Sequence, residues 1–228
     1  SGATRITSTG GEIVQVNDGA VVSGESIYLQ AKTGIRGKGD TGVSLGQDSA
    51  TGAVAGAALR TNLTEGAGTL NAVTTQGNIN IQEVSGSLYV DSATTGNGDV
   101  TLRARESIVA RDGDDAGSDS LVQGGAIDLR AVGGSIGTAG QTLRIDTGTT
   151  ARDGLSAIAT GVINVTEIAG DLHLARAHTS PSSDVYIAVA ANLTDANTST
   201  LRDTRTEAQL LKLYEDMRLT GRAADRGI

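Results

Sequence analysis

An acidic segment near the middle of the chain carries the side chains best suited to hold a metal ion. It runs Asp112-Gly-Asp114-Asp115-Ala-Gly-Ser-Asp119. Carboxylates spaced closely around glycines can supply the roughly six to eight oxygen ligands that Ca²⁺ prefers. The order resembles the start of an EF-hand loop, but Ala116 stands where a third ligand belongs and no glutamate follows at the twelfth position. The segment predicts either a calcium site formed by Asp112, Asp114, Asp115 and Asp119 or a solvated acidic turn.

Other metal and nucleophile chemistry has little support in the sequence. The two histidines, His173 and His178, are five residues apart, and no third ligand accompanies them. The chain contains no cysteine, which excludes disulfides and zinc-thiolate sites. No Ser-His-Asp arrangement, phosphate-binding loop or dinucleotide fingerprint is present. We therefore expect no cofactor other than calcium, and no enzymatic activity.

A carbohydrate-active site is the chemistry that would need clustered charges on one face of a β structure. The candidates for such a face are Arg103, Arg105, Glu106, Arg111 and Arg130. Their partners cannot be placed from the sequence. A second group of aspartates occupies positions next to turns, where Asp commonly stabilises the turn itself. These residues are Asp91, Asp99, Asp171 and Asp184. Turn and surface roles are the simpler interpretation of both groups.

The composition indicates many short strands with an aliphatic interior. Among 228 residues there are 32 Gly, one Pro, four Tyr, one Met and neither Phe nor Trp. High glycine together with Thr, Ser, Val and Ile is typical of short strands joined by tight turns. The net charge of −8 disfavours binding to nucleic acid or to an anionic membrane. No apolar run approaches the roughly 18 residues of a membrane span, so membrane insertion is not expected.

The sequence contains an internal repeat. GNINIQEVSGSLYV from Gly77 aligns with GVINVTEIAGDLHL from Gly161, an offset of 84 residues. SIYLQA from Ser26 aligns with AIDLRA from Ala126, an offset of 100 residues. We interpret these matches as two degenerate copies, about 26–110 and 126–195, the first with about 16 additional residues between Gly37 and Ala58.

A shorter period lies within each copy. Apolar residues recur after 20 to 22 residues, in the pairs Ile79 and Val100, Leu88 and Ile108, Ile6 and Ile27, and Ile163 and Val185. Each period holds short segments in which apolar and polar residues alternate, as in strands with one buried face. Strands this short need partners, which stacked coils of about 20 residues would provide. The pattern predicts an all-β parallel β-helix of about nine coils over residues 1–200, with a β-sandwich as the competing fold.

The repeat segments are similar to a known class of bacterial protein. GSIGTAGQTLRIDT from Gly134, GDLHL from Gly170 and GNGDVTLRARESI from Gly96 resemble the repeats of filamentous-haemagglutinin-type large exoproteins. The resemblance covers roughly residues 5–195 and rests on repeat style. It implies a right-handed parallel β-helix in a bacterial adhesin that is secreted or displayed on the cell surface. The calcium-binding repeat GGxGxDxUx of RTX segments is absent from this sequence.

The end of the chain changes from a strand to a helical pattern. Thr204 and Glu207 fit a capping box, and Gly221 is a plausible stop. Between them an apolar stripe recurs at helical spacing, formed by Leu210, Leu213, Tyr214 and Met217. We expect an amphipathic helix over 204–221, followed by a tail over 222–228. The helix would cover the open end of the solenoid or link it to a following domain.

Two functional hypotheses follow. The first is a non-catalytic structural or adhesive segment of a larger polypeptide, acting as a rigid spacer or cell-adhesion module. Its partners would be further repeats of the same polypeptide and a receptor or glycan on a host or neighbouring cell. The inserted segment between Gly37 and Ala58 is the best candidate for a binding protrusion. The second hypothesis is a β-helix that binds or degrades carbohydrate.

Overall fold

The computed structural model describes residues 2–17, 19–38, 58–111, 120–150 and 153–196, and their regular secondary structure is entirely β. Within these ranges there is no helix of the length and apolarity needed to cross a membrane. The strands are β1 Thr4–Ser8, β2 Glu12–Gln15, β3 Val22–Gly24, β4 Ser26–Ala31, β5 Gly34–Gly37, β6 Leu59–Leu63, β7 Thr69–Thr74, β8 Ile79–Glu83, β9 Leu88–Thr95, β10 Val100–Ala104, β11 Ile108–Ala110, β12 Leu121–Gly124, β13 Ala126–Ala131, β14 Leu143–Thr147, β15 Gly154–Ala159, β16 Ile163–Glu167, β17 Leu172–His178, β18 Val185–Val189 and β19 Leu193–Asp195. The predicted helix over 204–221 and the tail lie outside the described residues.

The strands form two sheets that the chain visits alternately. The first sheet has the order β1-β4-β7-β9-β12-β14-β16-β18, and β11 also pairs with β9. The second has the order β19-β17-β15-β13-β10-β8-β5-β2, and β6 pairs with both β3 and β8. The strand pairs are parallel, for example β8 with β10 and β10 with β13. This arrangement is consistent with a β-solenoid and not with the antiparallel sheets of a sandwich.

Stacking follows the predicted period at most of the positions that the sequence pairs. Val100 lies beside Ile79, Ile108 beside Leu88, and Val185 beside Ile163. The predicted pairing of Ile6 with Ile27 is wrong, because Ile6 lies beside Leu29. A shift of two residues keeps every apolar side chain on the same face of the strand. Alternation alone therefore cannot fix the register of this first strand.

In the described part of the chain, the path through the first sheet contains eight successive strands, which correspond to eight coils rather than the nine or so predicted for residues 1–200. The number of coils is lower than predicted because two strands that are separate in the sequence, β5 and β6, pair with the same strand. Ile35 and Leu59 lie beside Ile79 and Ile81 of the single strand β8. Strands β5 and β6 therefore belong to the same coil, the one next to β8. Residues 39–57, the main part of this predicted insertion, lie outside the described residues.

A similar arrangement occurs in the first sheet, where β11 and β12 pair with one strand. Ala110 and Leu121 lie beside Val90 and Ser92 of the single strand β9. The strands on either side of the acidic segment, β11 and β12, therefore both pair with β9. Asp112, Asp114, Asp115 and Asp119 themselves lie outside the described residues.

The two sequence copies lie on opposite sheets. INIQE forms β8 in the second sheet, whereas INVTE forms β16 in the first. From β8 the chain passes three coils, through β10 and β13 to β15, and half a coil more to β16. The 84-residue offset thus spans three and a half coils, because the inserted acidic segment takes up about half a coil of chain. The strand-turn-strand unit that repeats in the sequence fits either side of the solenoid.

The interior is built from vertical ladders of aliphatic side chains. One ladder consists of Ile79, Val100, Ile127 and Leu155, all of which are fully buried. Between them the two sheets enclose a single apolar cluster that continues through successive coils. The burial of these aliphatic groups supplies the main favourable free energy of the fold. Bulky aromatic rings are absent from this cluster, as the composition predicts.

Close contact between coils requires glycine at one corner. Gly77 has φ of 78° and lies over the turn that contains Thr33. A Cβ atom at Gly77 would overlap the carbonyl oxygen of Thr33. Gly66 has nearly the same φ, 75°, but a Cβ atom there would have no neighbour within 4 Å. The two glycines therefore share a backbone conformation and differ in the space around it.

We expect Gly77→Ala to lower the free energy of unfolding by roughly 3 kcal/mol or more, since it adds overlap to the strain of a positive φ. Gly66→Ala should cost only about 1 kcal/mol, because it adds the strain alone. Urea unfolding followed by circular dichroism measures both. Equal losses in the two variants would contradict the close stacking at this corner.

Candidate functional site

One register position of the second sheet carries three arginines on six neighbouring strands. One register position of β6, β8, β10, β13, β15 and β17 defines this arginine row, which consists of Arg60, Gln82, Arg103, Arg130, Ile158 and His178. Arg103 and Arg130 are direct neighbours on adjacent strands. The alternation of VTLRA and AIDLRA places them here, because Leu102 and Leu129 next to them are fully buried in the interior. Both arginine residues remain partly exposed.

A carboxylate lies next to the arginine row. Asp128 and Arg176 occupy one neighbouring register position, with Ser156 on the strand between them. Burial raises the pKa of Asp128, and this effect outweighs the hydrogen bond from Ser156 and the charges of Arg103, Arg130 and Arg176. Asp128 therefore lies within the electrostatic reach of three guanidinium groups.

The structure brings together only part of the predicted carbohydrate-active group. Arg103 and Arg130 share the arginine row, as described above. Arg105 and Glu106 lie in the exposed turn that follows β10. Arg111 follows β11 of the first sheet. These five residues therefore do not form a single face. Arg60 and Arg176, which sequence analysis did not select, lie two coils before Arg103 and two coils beyond Arg130, respectively.

Three of the four repeat aspartates, Asp99, Asp171 and Asp184, directly precede strands, whereas Asp91 lies inside β9. Asp99 Oδ1 accepts a hydrogen bond of 2.9 Å from the Ala126 amide. Asp171 Oδ1 accepts one of 3.0 Å from the Asn192 amide. Asp91 and Asp184 accept hydrogen bonds from the Asn71 side chain and the Tyr186 hydroxyl, respectively. The positions of Asp99, Asp171 and Asp184 fit the role beside turns predicted from the sequence, whereas the prediction is wrong for Asp91.

The histidines do not form a metal site with other described residues. His173 Nδ1 lies 2.6 Å from Thr194 Oγ1 on the adjacent coil. His178 ends β17 and is exposed. In the described ranges, no group of three His, Asp or Glu side chains is placed to hold a metal ion.

Two buried glutamates were missed by sequence analysis. Glu83 and Glu167 end β8 and β16, and both are 0% exposed. Glu83 accepts hydrogen bonds from the Thr61 hydroxyl at 2.9 Å and from the Leu63 and Ser85 amides at 3.2 and 3.3 Å. Glu167 accepts from the hydroxyl and amide of Thr147 at 2.9 and 3.2 Å. Each carboxylate thus takes up backbone donors at a corner of the coil.

A signal for these glutamates is present in the sequence. They are identical residues 84 positions apart in the aligned segments INIQE and INVTE. Each also falls where the alternation predicts an inward-facing apolar residue. A charged residue repeated at an inward position indicates a buried polar group with dedicated partners.

Burial raises the pKa of Glu83 to about 7, against opposing hydrogen bonds from Thr61, Ser85 and Leu63, and the nearby charge of Glu65 raises it further. The protonated form has a hydrogen-bonding route of its own. Its O–H can donate to Thr61 Oγ1, whose hydroxyl lies 3.4 Å from the carbonyl oxygen of Gln82. Burial likewise raises the pKa of Glu167.

A raised pKa means that the folded protein binds this proton more tightly than the unfolded chain does. The resulting stability is fully present below the usual value of 4.5 and is lost as the pH rises through about 7. We expect Glu83 alone to contribute roughly 3 kcal/mol to the difference in unfolding free energy between pH 4.5 and pH 8.

The matched variant is Glu83→Gln, which cannot titrate. Urea unfolding at several pH values should give a flatter stability curve for the variant than for the unsubstituted chain. Parallel curves for the two proteins would contradict a raised pKa at Glu83.

No protein-family model matches this chain, and comparison with curated proteins and with solved structures also gave no match.

Proposed function

We propose that this chain is a non-catalytic structural and adhesive segment of a large bacterial surface or secreted protein. The observation that supports this role is the succession of parallel strand pairs from β1 to β18 through the first sheet. Such a stack holds its ends at a fixed separation, roughly 34 Å for seven steps of about 4.8 Å. Rigidity of this kind needs no reactive side chain.

Exposed apolar side chains at the last coil support continuation of the stack. Val185 is 41% exposed and Leu193 is 53% exposed, whereas their counterparts Ile163 and Leu172 one coil earlier are fully buried. We propose that residues 204–221 form a helix that covers this surface, or that further coils of the same polypeptide continue from it. The winding is proposed to be right-handed, as about 98% of parallel crossovers are.

Adhesion is assigned to the segment inserted between β5 and β6, which leaves and re-enters the second sheet beside β8. In solenoids such insertions are often the binding surface. The partner would be a receptor or glycan on a host or neighbouring cell, outside the producing bacterium. The filamentous-haemagglutinin-like repeat style supports this location.

Carbohydrate binding is the second candidate function. The arginine row favours it, because a line of guanidinium groups on a net acidic chain is suited to an anionic ligand.

Replacement of residues 39–57 by a short Gly-Ser linker should leave the rod folded, since the flanking strands keep their ladder partners. We expect it to abolish binding of the chain to target cells, measured by flow cytometry with the labelled protein. The matched control replaces residues 112–119 by the same linker and should retain cell binding.

Unchanged cell binding without residues 39–57 would contradict the assignment of adhesion to this segment. The non-catalytic role is tested separately, by incubating the chain with a panel of polysaccharides and assaying new reducing ends. Cleavage that is lost in Asp128→Asn would overturn it.

A further inference from the structure

We propose that the last coil of this chain (β18 and β19) binds the first coil (β1 to β3) of a second copy, so that molecules associate head to tail along the stacking axis. The contact would add β1 of one molecule to β18 of its neighbour as a parallel strand. This inference goes beyond the proposed function, because it commits the exposed end of the stack to a separate molecule. It depends neither on adhesion by the inserted segment nor on the non-catalytic role.

The two ends of the stack present strand edges and apolar side chains. Within the described ranges, β1 pairs only with β4, and β18 pairs only with β16. Six large apolar side chains are exposed among the same residues, and five of them belong to the first or the last coil: Val16, Val21, Val185, Tyr186 and Leu193. The sequence of β18, VYIAV, contains no charge, glycine or proline that would oppose pairing with a further strand. Such an edge is a template for strand addition.

The last coil repeats the residue pattern of the second coil, which begins with β4. VYIAVAANL from Val185 aligns with IYLQAKTGI from Ile27, an offset of 158 residues. Both segments form a strand of the first sheet, a bend and the start of a strand of the second sheet. Like positions in neighbouring coils of a solenoid stack on one another. The pattern that the first coil packs against in its own molecule is therefore presented again at the far end of the stack.

Aliphatic contacts define the register of the proposed interface. Within one molecule, Ile6 and Ile13 of the first coil lie beside β4 and β5. By the alignment, Ile187 and Leu193 of the last coil would meet the same two side chains of a second copy from the opposite side. A register shifted by two residues would instead place the carboxylate of Asp195 against Ile13. Burial of a charged group against an apolar one is unfavourable.

Charge and aromatic contacts favour the same register. The guanidinium carbon of Arg5 lies 4.6 Å from the centre of the Tyr28 ring. In the proposed interface the ring of Tyr186 would face Arg5 of the second copy from the other side. The Tyr186 hydroxyl donates a hydrogen bond of 3.2 Å to Asp184, so a carboxylate accompanies this ring. A guanidinium group between two aromatic rings and beside a carboxylate is stabilised by both kinds of contact.

The proposed association is open-ended. A head-to-tail contact joins two different surfaces, so each added molecule leaves one free end of each kind. Because every molecule would add along the same stacking axis, the series does not curve back into a closed ring. The mass of the assembly should therefore keep rising with protein concentration, whereas a contact between two identical ends would stop at a dimer.

Disulfide cross-linking tests the contact and its register. In the proposed interface Thr7 of one molecule lies beside Ala188 of the other, one coil apart, and cysteines at this spacing can form a disulfide. One molecule cannot form it internally, because the two positions are seven steps apart, roughly 34 Å. Chains with Thr7→Cys are mixed with chains with Ala188→Cys and oxidised. We expect the mixed two-chain product to exceed either symmetric product.

The matched control uses Gln30, which lies beside Thr7 but one coil further from the interface. Gln30→Cys in one molecule and Ala188→Cys in the other would be about 9.6 Å apart, beyond the reach of a disulfide. The mixed product should therefore form about tenfold more slowly, or not at all. Equal rates for the Thr7 and Gln30 variants, or an excess of symmetric products, would overturn the proposal.

Charge variants test the same contact without a covalent bond. Tyr186→Lys places an ammonium group against Arg5, and Arg5→Glu places a carboxylate against Asp184. Each variant alone should associate about tenfold more weakly than the unsubstituted chain, measured by sedimentation velocity over a range of concentrations. An equimolar mixture of the two should recover association, because the introduced charges attract each other. Tyr89→Lys changes a tyrosine away from both ends and should alter the affinity less than about twofold.

Thermal unfolding confirms that each variant is folded. Arg5→Gln serves as the substitute if Arg5→Glu is not, and it should also weaken association. A full chain that remains monomeric at every concentration would overturn the proposal and leave this end to residues 204–221 or to further coils of the same polypeptide. A mixture that fails to recover association would overturn it as well. None of these results bears on the cell-binding or cleavage assays.

Discussion

Backbone hydrogen bonding between coils is the constraint from which the remaining features follow. The strands contain three to eight residues, too few to be stable in isolation. Each interior strand is stabilised because the coil below and the coil above supply partners for its amide and carbonyl groups. This requirement fixes the step between coils, brings like side chains into vertical contact and leaves a narrow interior. Aliphatic residues fill that interior, and glycine is needed where one corner presses on the next.

The same constraint determines where the sequence is free to vary. Outward positions do not affect the ladder, so charged side chains can be placed there in lines, as in the arginine row. Whole segments can also be inserted within a strand, provided that both flanks return to the same neighbour, as Ile35 and Leu59 do beside β8. Some polar groups take the place of an apolar ladder residue in the interior. Glu83 and Glu167 do this at the corners.

The sequence predicts the periodic part of this structure because alternation and a 20–22-residue period act directly on backbone pairing. It fails where several arrangements satisfy the same pattern. Ile6 could lie beside Ile27 or Leu29 without exposing an apolar side chain, and the 84-residue repeat could span three and a half or four coils. A periodic pattern also does not show which side chains lie next to one another on adjacent coils. Arg103 and Arg130 were selected as charged residues, but their adjacency and the presence of Asp128 beside them depend on the register between coils.

The most direct test of coil-on-coil stacking is the distance between spin labels placed on one face. The chain lacks cysteine, so pairs can be introduced freely. Thr7, Gln30, Val73, Thr94, Gln123 and Asp146 form one vertical line on the first sheet. Double electron–electron resonance should give backbone separations of roughly 19 Å for Thr7→Cys with Gln123→Cys and roughly 24 Å for Thr7→Cys with Asp146→Cys, a difference of one coil. Distances that do not increase by one step per coil would contradict the stacked arrangement.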